Sequence, residues 1–256
     1  MTDGLPDLES ELSLVVREVQ QLAAMVIEST ATATAVLRRL DLDEARAVIE
    51  RDDEVDALAL SLEDRCTRLL TLQAPVARDL RSTVAALWIV ADFERCGDLA
   101  VNLAKAARRL LHTPLSDRLA RLLDRMGTEA VGLLQVASTA YATRDASMAA
   151  ALPDLDDVLD RLHREWLEAI FEAHRDGCLG VEAGVQLALV GRYYERLGDH
   201  AVNVGNRIVY LATGWLPEHT GAARRDARNR LRGSDGADRG EHGAQWHREP
   251  PTDEQG

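Results

Sequence analysis

Leu8, Leu12, Val15, Val19, Leu22 and Val26 recur at alternating steps of four and three, the spacing that draws one apolar stripe down an α-helix. This predicts a first helix over about 8–40. After Asp41-Leu42-Asp43, where either aspartate suits a helix cap, the stripe resumes at Val48, Val55, Leu62 and Leu69 and predicts a second. Pro75 sits where a first-turn proline is tolerated and opens a third segment, 76–112. Pro114 and Pro153 punctuate segments near 115–144 and 150–176, and a sixth helix fills about 180–214. No segment alternates as a strand would. The expected fold is all-α, with six long antiparallel helices and short connections.

The chain also repeats itself. Glu94-Arg95-Cys96-Gly97-Asp98-Leu99-Ala100-Val101-Asn102 lies 101 residues before Glu195-Arg196-Leu197-Gly198-Asp199-His200-Ala201-Val202-Asn203, with seven of the nine positions identical. A repeat of this kind points to two pseudo-symmetric three-helix bundles, 1–112 and 113–216, each carrying the motif on its third helix. Residues 217–256 hold 6 of the 17 glycines and three of the seven prolines but almost no aliphatics, so a disordered C-terminal tail is expected there.

An acidic pair at i, i+4 means little in a chain with 43 acids. In the first half, however, Leu80, Val84, Leu87, Ala91, Glu94, Asp98 and Val101 keep the three-four spacing through two acids, which places Glu94 and Asp98 on or beside the buried face. A mid-helix glycine such as Gly97 or Gly198 costs ~1 kcal/mol relative to Ala unless something approaches the backbone closely, and a neighbouring helix is the obvious candidate. Helix two offers Asp52 and Asp56, and Asp156 and Asp160 stand 104 residues later. Antiparallel packing would gather four carboxylates per half. Like charges at ~4 Å repel by several kcal/mol, so protons or cations must compensate. All-oxygen ligation suits Mg, Mn or Fe, with Zn also admissible. Asn102 and Asn203, one turn beyond each aspartate, are placed to orient ligands or to supply an amide oxygen. His163 shares a face with Asp160 but has Ala59 as its repeat counterpart, so it reads as a surface histidine; Cys96 reads as a small core filler. The competing interpretation pairs the acids with arginines such as Arg95 and Arg196 and makes the motif a helix-packing surface.

Composition narrows the class. Hydrophobic residues make up 46% of the chain but aromatics only 4%, so the core is built from Leu, Ala and Val. The net charge of -13 argues against a protein that neutralises nucleic-acid phosphates and favours cations or basic partners. Three scattered cysteines form no C-x-x-C and suit a reducing compartment. The acidic N-terminal stretch lacks the basic and apolar regions of an export signal, and no uncharged run reaches the ~18 apolar residues of a membrane span. A cytoplasmic protein, peripheral to any membrane, is expected.

The paired ERCGDLAVN and ERLGDHAVN segments, RDDEVDAL at 51–58, QAPVARDLR at 73–81 and RIVYLATG at 207–214 together resemble the PhoU family of phosphate-specific transport accessory regulators. The resemblance spans roughly 8–216. It implies two three-helix bundles, each with a multinuclear metal site made by Asp52, Asp56, Glu94 and Asp98 in one half and by Asp156, Asp160, Glu195 and Asp199 in the other. It further implies a non-catalytic homodimer that restrains the Pst phosphate ABC transporter and, with its sensor histidine kinase, silences the phosphate-starvation (Pho) regulon. The second half departs from the pattern in lacking a P-x-x-x-D-L-R segment. Two other readings share the fold: a metal-independent helical adaptor, and a di-iron carboxylate enzyme, which needs Glu-x-x-His motifs that this sequence does not contain.

Overall fold

The computed structural model describes residues 7–111, 113 and 115–214. The expected disorder of 217–256 lies outside them. Six long helices account for almost all of these residues: α1 (Leu8–Arg39), α2 (Leu42–Gln73), α3 (Ala77–Arg109), α4 (Asp117–Thr143), α6 (Leu152–Arg175) and α7 (Val181–Thr213), with a single-turn α5 (Ala146–Ala150) before α6. Among the described residues there is no strand.

The boundaries follow from local chemistry. Asp41 caps α2 by accepting from the backbone N–H groups of Asp43 and Glu44 at 3.1 Å, satisfying two donors that a helix start leaves open. Ser116 does the same for α4 through Leu119 N–H at 3.3 Å. Leu40 and Arg144 end α1 and α4 in the left-handed conformation, at φ 56° and 55°. The short α5, absent from the sequence reading, arises because Asp145 directly follows that stop and caps a new turn through Ser147 and Met148 N–H. Five residues are too few to show a periodic stripe.

Three helices form each of the two pseudo-symmetric bundles: α1, α2 and α3 pack mutually in the first, and α4, α6 and α7 in the second. The bundles join along α3 against α7 and α1 against α4. Fully buried Leu22, Leu62, Ile89, Phe93, Leu103, Trp166 and Tyr194 anchor one continuous core, each large side chain contributing about 1.5–3 kcal/mol on leaving water. Tyr194, buried on α7, shares a 2.8 Å hydrogen bond with Thr34 on α1 and so ties the two halves together.

The expected buried stripe on α3 is corrected. Leu80 and Ala91 are exposed and Val84 and Leu87 half-buried, whereas Ile89, Phe93, Cys96, Ala100, Leu103 and Ala107 form the deep face. α3 is packed by α1 and α2 on one side and α7 on another, so its buried sector is wide. Glu94 and Asp98 stand at the edge of that sector.

Candidate metal centre

In the first half, α2 and α3 cross where α3 has no side chain. A Cβ built on Gly97 would stand 3.3 Å from Asp52 Oδ1 and 3.2 Å from Val55 Cγ1, so the glycine lets the Asp52 carboxylate settle onto the α3 backbone. The four carboxylates act on one another there. Burial, then Asp56, Asp98 and Glu94, push the Asp52 carboxyl up to about 6, with Lys105 opposing them. Burial likewise raises Glu94, reinforced by Asp98, Asp56 and Glu63 and opposed by Arg95. Arg95 also lies 3.6 Å from both Glu94 Oε2 and Asp98 Oδ2, on the exposed side. Asp52 and Glu94 are half-buried while Asp56 and Asp98 are exposed.

The second half repeats the frame more tightly. A Cβ on Gly198 would stand 2.0 Å from Asp156 Oδ1 and 3.0 Å from Leu159 Cδ2, so Asp156 presses onto α7 as Asp52 does onto α3. Burial raises the Asp199 carboxyl and Asp160 raises it further, against Arg192, His200 and Arg196. Glu195 pairs with Arg192 one turn earlier and faces His163 Nδ1 at 3.9 Å. His163 is therefore no plain surface residue: its side chain is 17% exposed, and burial followed by Arg192 lowers its pKa, with Asp160 opposing.

Each half thus brings its acids from two helices to one crossing. Among the described residues, as the side chains stand, no three His, Cys, Asp or Glu are gathered into a group ready to hold a metal ion. The residues nevertheless fit one in two respects. The donors are all carboxylate oxygens, matched to hard or borderline cations, and a glycine removes the Cβ that would keep the half-buried aspartate off the crossing. A bound cation would supply the charge compensation that burial and mutual repulsion demand at Asp52, Glu94 and Asp199.

Several participants escaped the sequence reading. Glu63 and Lys105 each lie seven residues, two helical turns, beyond a predicted acid, Asp56 and Asp98 respectively, a spacing that was available as a signal. Arg192, three residues before Glu195, was too. Asn203, expected to orient ligands or to supply an amide oxygen, donates its Nδ2 to Asp92 Oδ1 at 3.5 Å. Asp92 on α3 also holds His200 Nδ1 of α7 at 2.9 Å, with both side chains about 15% exposed, so this face of α7 also fastens the two bundles. Cys96 is buried as expected, and desolvation drives its thiol pKa well up. No described helix is long and apolar enough to cross a membrane.

The same architecture occurs in known proteins. The PhoU domain model matches twice, over residues 19–107 and 123–208, once per bundle. The phosphate-specific transport system accessory protein PhoU homolog 1 of Mycobacterium tuberculosis is 37% identical over 209 residues, covering 81% of this chain and 92% of that protein. The crystal structure of PhoU from Pseudomonas aeruginosa superposes with a TM-score of 0.77 at 26% identity, over 82% of this chain and all of that one. That of the phosphate transport system regulatory protein PhoU from Streptococcus pneumoniae gives 0.76 at 27% identity, over 82% and 99%. With the doubled acidic motif, the doubled bundle and a family match across both halves, the chain belongs to the PhoU family.

Proposed function

We propose that this protein is an accessory component of phosphate-specific transport: a non-catalytic negative regulator of phosphate uptake and of the Pho regulon that couples the Pst transporter to its sensor histidine kinase from the cytoplasmic face. The observation carrying this reading is the pair of glycine-seated carboxylate crossings, Asp52 on Gly97 and Asp156 on Gly198, in a chain that matches the family across both bundles. Relatives named as phosphate-specific transport accessory proteins support the transport assignment. We assign Asp52, Asp56, Glu94 and Asp98, and Asp156, Asp160, Glu195 and Asp199, as ligand sets for Fe, Mn, Mg or Zn. A metal held there would supply positive charge and cross-link two helices of a bundle, giving the regulator a rigid surface.

Deleting the gene tests the regulatory role. The expected outcome is high alkaline phosphatase and transporter expression in phosphate-replete medium; repression that persists without the protein, and without a paralogue to replace it, contradicts the assignment.

A metal-independent adaptor remains the second reading, favoured by one observation: Arg95 already approaches Glu94 and Asp98, and Arg192 already pairs with Glu195. Elemental analysis of protein purified without chelator or affinity-tag metal separates the two. At least one transition-metal equivalent per half is expected, and none bound even after adding Fe or Mn would establish the adaptor.

A further inference from the structure

The start of α3, the end of α4 and the last turns of α7 line an open cavity of about 310 Å³ whose walls are Arg78, Arg81, Arg144, Ile208, Leu211 and Ala212, with Arg78 and Arg144 exposed and Arg81 half-buried. Three guanidinium groups thus share a small space in a protein of net charge -13. Arg81 Nε is buried without a hydrogen-bond partner among the described residues. None of the three arginines forms an ion pair with a described carboxylate.

Their placement is unfavourable in other respects. Arg78 and Arg81 are the second and fifth residues of α3, one turn apart on one side of the helix, at the end where its dipole repels cations. Arg144 holds the left-handed end of α4, a conformation that favours glycine or asparagine. An anion would convert all of this into attraction. Buried Ile208 and half-buried Leu211 back the cavity on one side, and the planar fork of arginine matches tetrahedral oxyanions with paired N–H donors. At about 310 Å³ the cavity stands at the small end of ligand pockets, which suits one phosphoryl group.

We propose that this cavity binds a phosphoryl anion, either free phosphate or the phosphate of a small ester. The site is independent of the carboxylate crossings. Two of its arginines come from the segment 73–81, a motif to which the metal centres give no role, and 101 residues later the corresponding positions are Leu179 and Glu182, so the second half holds no copy of that arginine pair.

The test is isothermal titration of the full chain, stripped of metal with a chelator and desalted, with orthophosphate or glycerol 3-phosphate in chloride of matched ionic strength. Saturable binding is expected, weakened about tenfold or more in both Arg81→Gln and Arg144→Asn, each losing one charge-assisted pair. Asparagine tolerates the left-handed backbone, so Arg144→Asn keeps the wild-type melting temperature in chloride and decides the matter even where Arg81→Gln folds poorly. Binding of orthophosphate alone assigns free phosphate, and binding of glycerol 3-phosphate alone assigns an ester; both uphold the site. No saturable binding of either ligand, or undiminished binding in Arg144→Asn, overturns it.

Discussion

The two halves carry the same nine-residue motif on the same helix of the same bundle, yet they surround it differently. In the first, Asp52 meets α3 closely but within a few tenths of an ångström of ordinary contact, 3.3 Å from where a Gly97 Cβ would stand, and Lys105 and Arg95 oppose the acids. In the second, Asp156 is pressed to 2.0 Å from the equivalent point on Gly198, and Arg192, Arg196, His200 and His163 surround the carboxylates. The difference teaches which features an internal repeat preserves. The glycine and the i, i+4 acids recur in both halves, and the glycine is what lets the neighbouring helix approach closely. Counter-charges diverge, because a cation can reach the same acids from many positions.

The largest expected effects test whether the halves are independent. Asp98→Ala should abolish metal at the first site and leave the second loaded, and Asp199→Ala the reverse, as read by elemental analysis and anomalous scattering. Loss at both sites from one substitution would mean that α3 and α7, which pack together, form a single coupled centre. Next comes the tightness of the crossings. Gly198→Ala forces Asp156 and Leu159 aside and should destabilise the fold by about 2 kcal/mol, in the range of core overpacking. At Gly97 the neighbours need give only a few tenths of an ångström, so the ~1 kcal/mol gain in helix propensity should leave Gly97→Ala near neutral. Equal losses in urea denaturation would show that the two crossings are alike.

How much of this was legible in the sequence depends on how local the cause is. Helix existence was readable because stripes such as Leu8 to Val26 run for many turns, and the acids of each crossing were readable because Gly97 and Gly198 break a helical rule at equivalent places. The deep face of α3 was not, because α7 packs onto α3 from the other half, a contact that periodicity along α3 does not encode. His163 was misplaced for a related reason: its burial against α7 at Gly191 comes from a helix about 30 residues away in sequence. The three-arginine cavity joins three helix ends that share no motif, so nothing in the sequence groups Arg144 with Arg78 and Arg81.

A smaller effect concerns the seam between the bundles. Asp92 and His200 form a half-buried pair at 2.9 Å, while their repeat counterparts are Tyr193 and Leu99. His200→Leu copies the first half's residue into the second and leaves Asp92 with Asn203 at 3.5 Å. The expected cost is about 1.5 kcal/mol, from a polar group that loses its main partner on burial. Asp92→Asn, which keeps a hydrogen-bonding side chain at the seam, should cost less. If His200→Leu is neutral in thermal denaturation, the seam is held by its apolar contacts alone and the asymmetry between the halves is incidental.

The smallest expected effect isolates the under-compensated charge of the first site. Asp52 titrates near 6 in the folded, metal-free protein against 3.8 for the free side chain. Between these values the folded state binds more protons than the unfolded state, so stability falls as pH rises from about 4 to 6 and then levels off. The cost is absent below pH 4 and complete above pH 6. Asp52→Asn removes the charge while keeping the shape that lies on Gly97, so metal-free variant protein should be more stable than wild type at pH 8. The expected margin is about 1 kcal/mol after allowing for solvent screening of a half-buried group. At pH 4 the two should melt together. Metal reverses the order: at pH 8 with Fe or Mn the wild type gains binding energy at the first site that the variant cannot. A margin that persists at pH 4 would trace the gain to packing, and no margin at any pH would mean that Lys105 already balances Asp52, erasing the electrostatic distinction between the two halves.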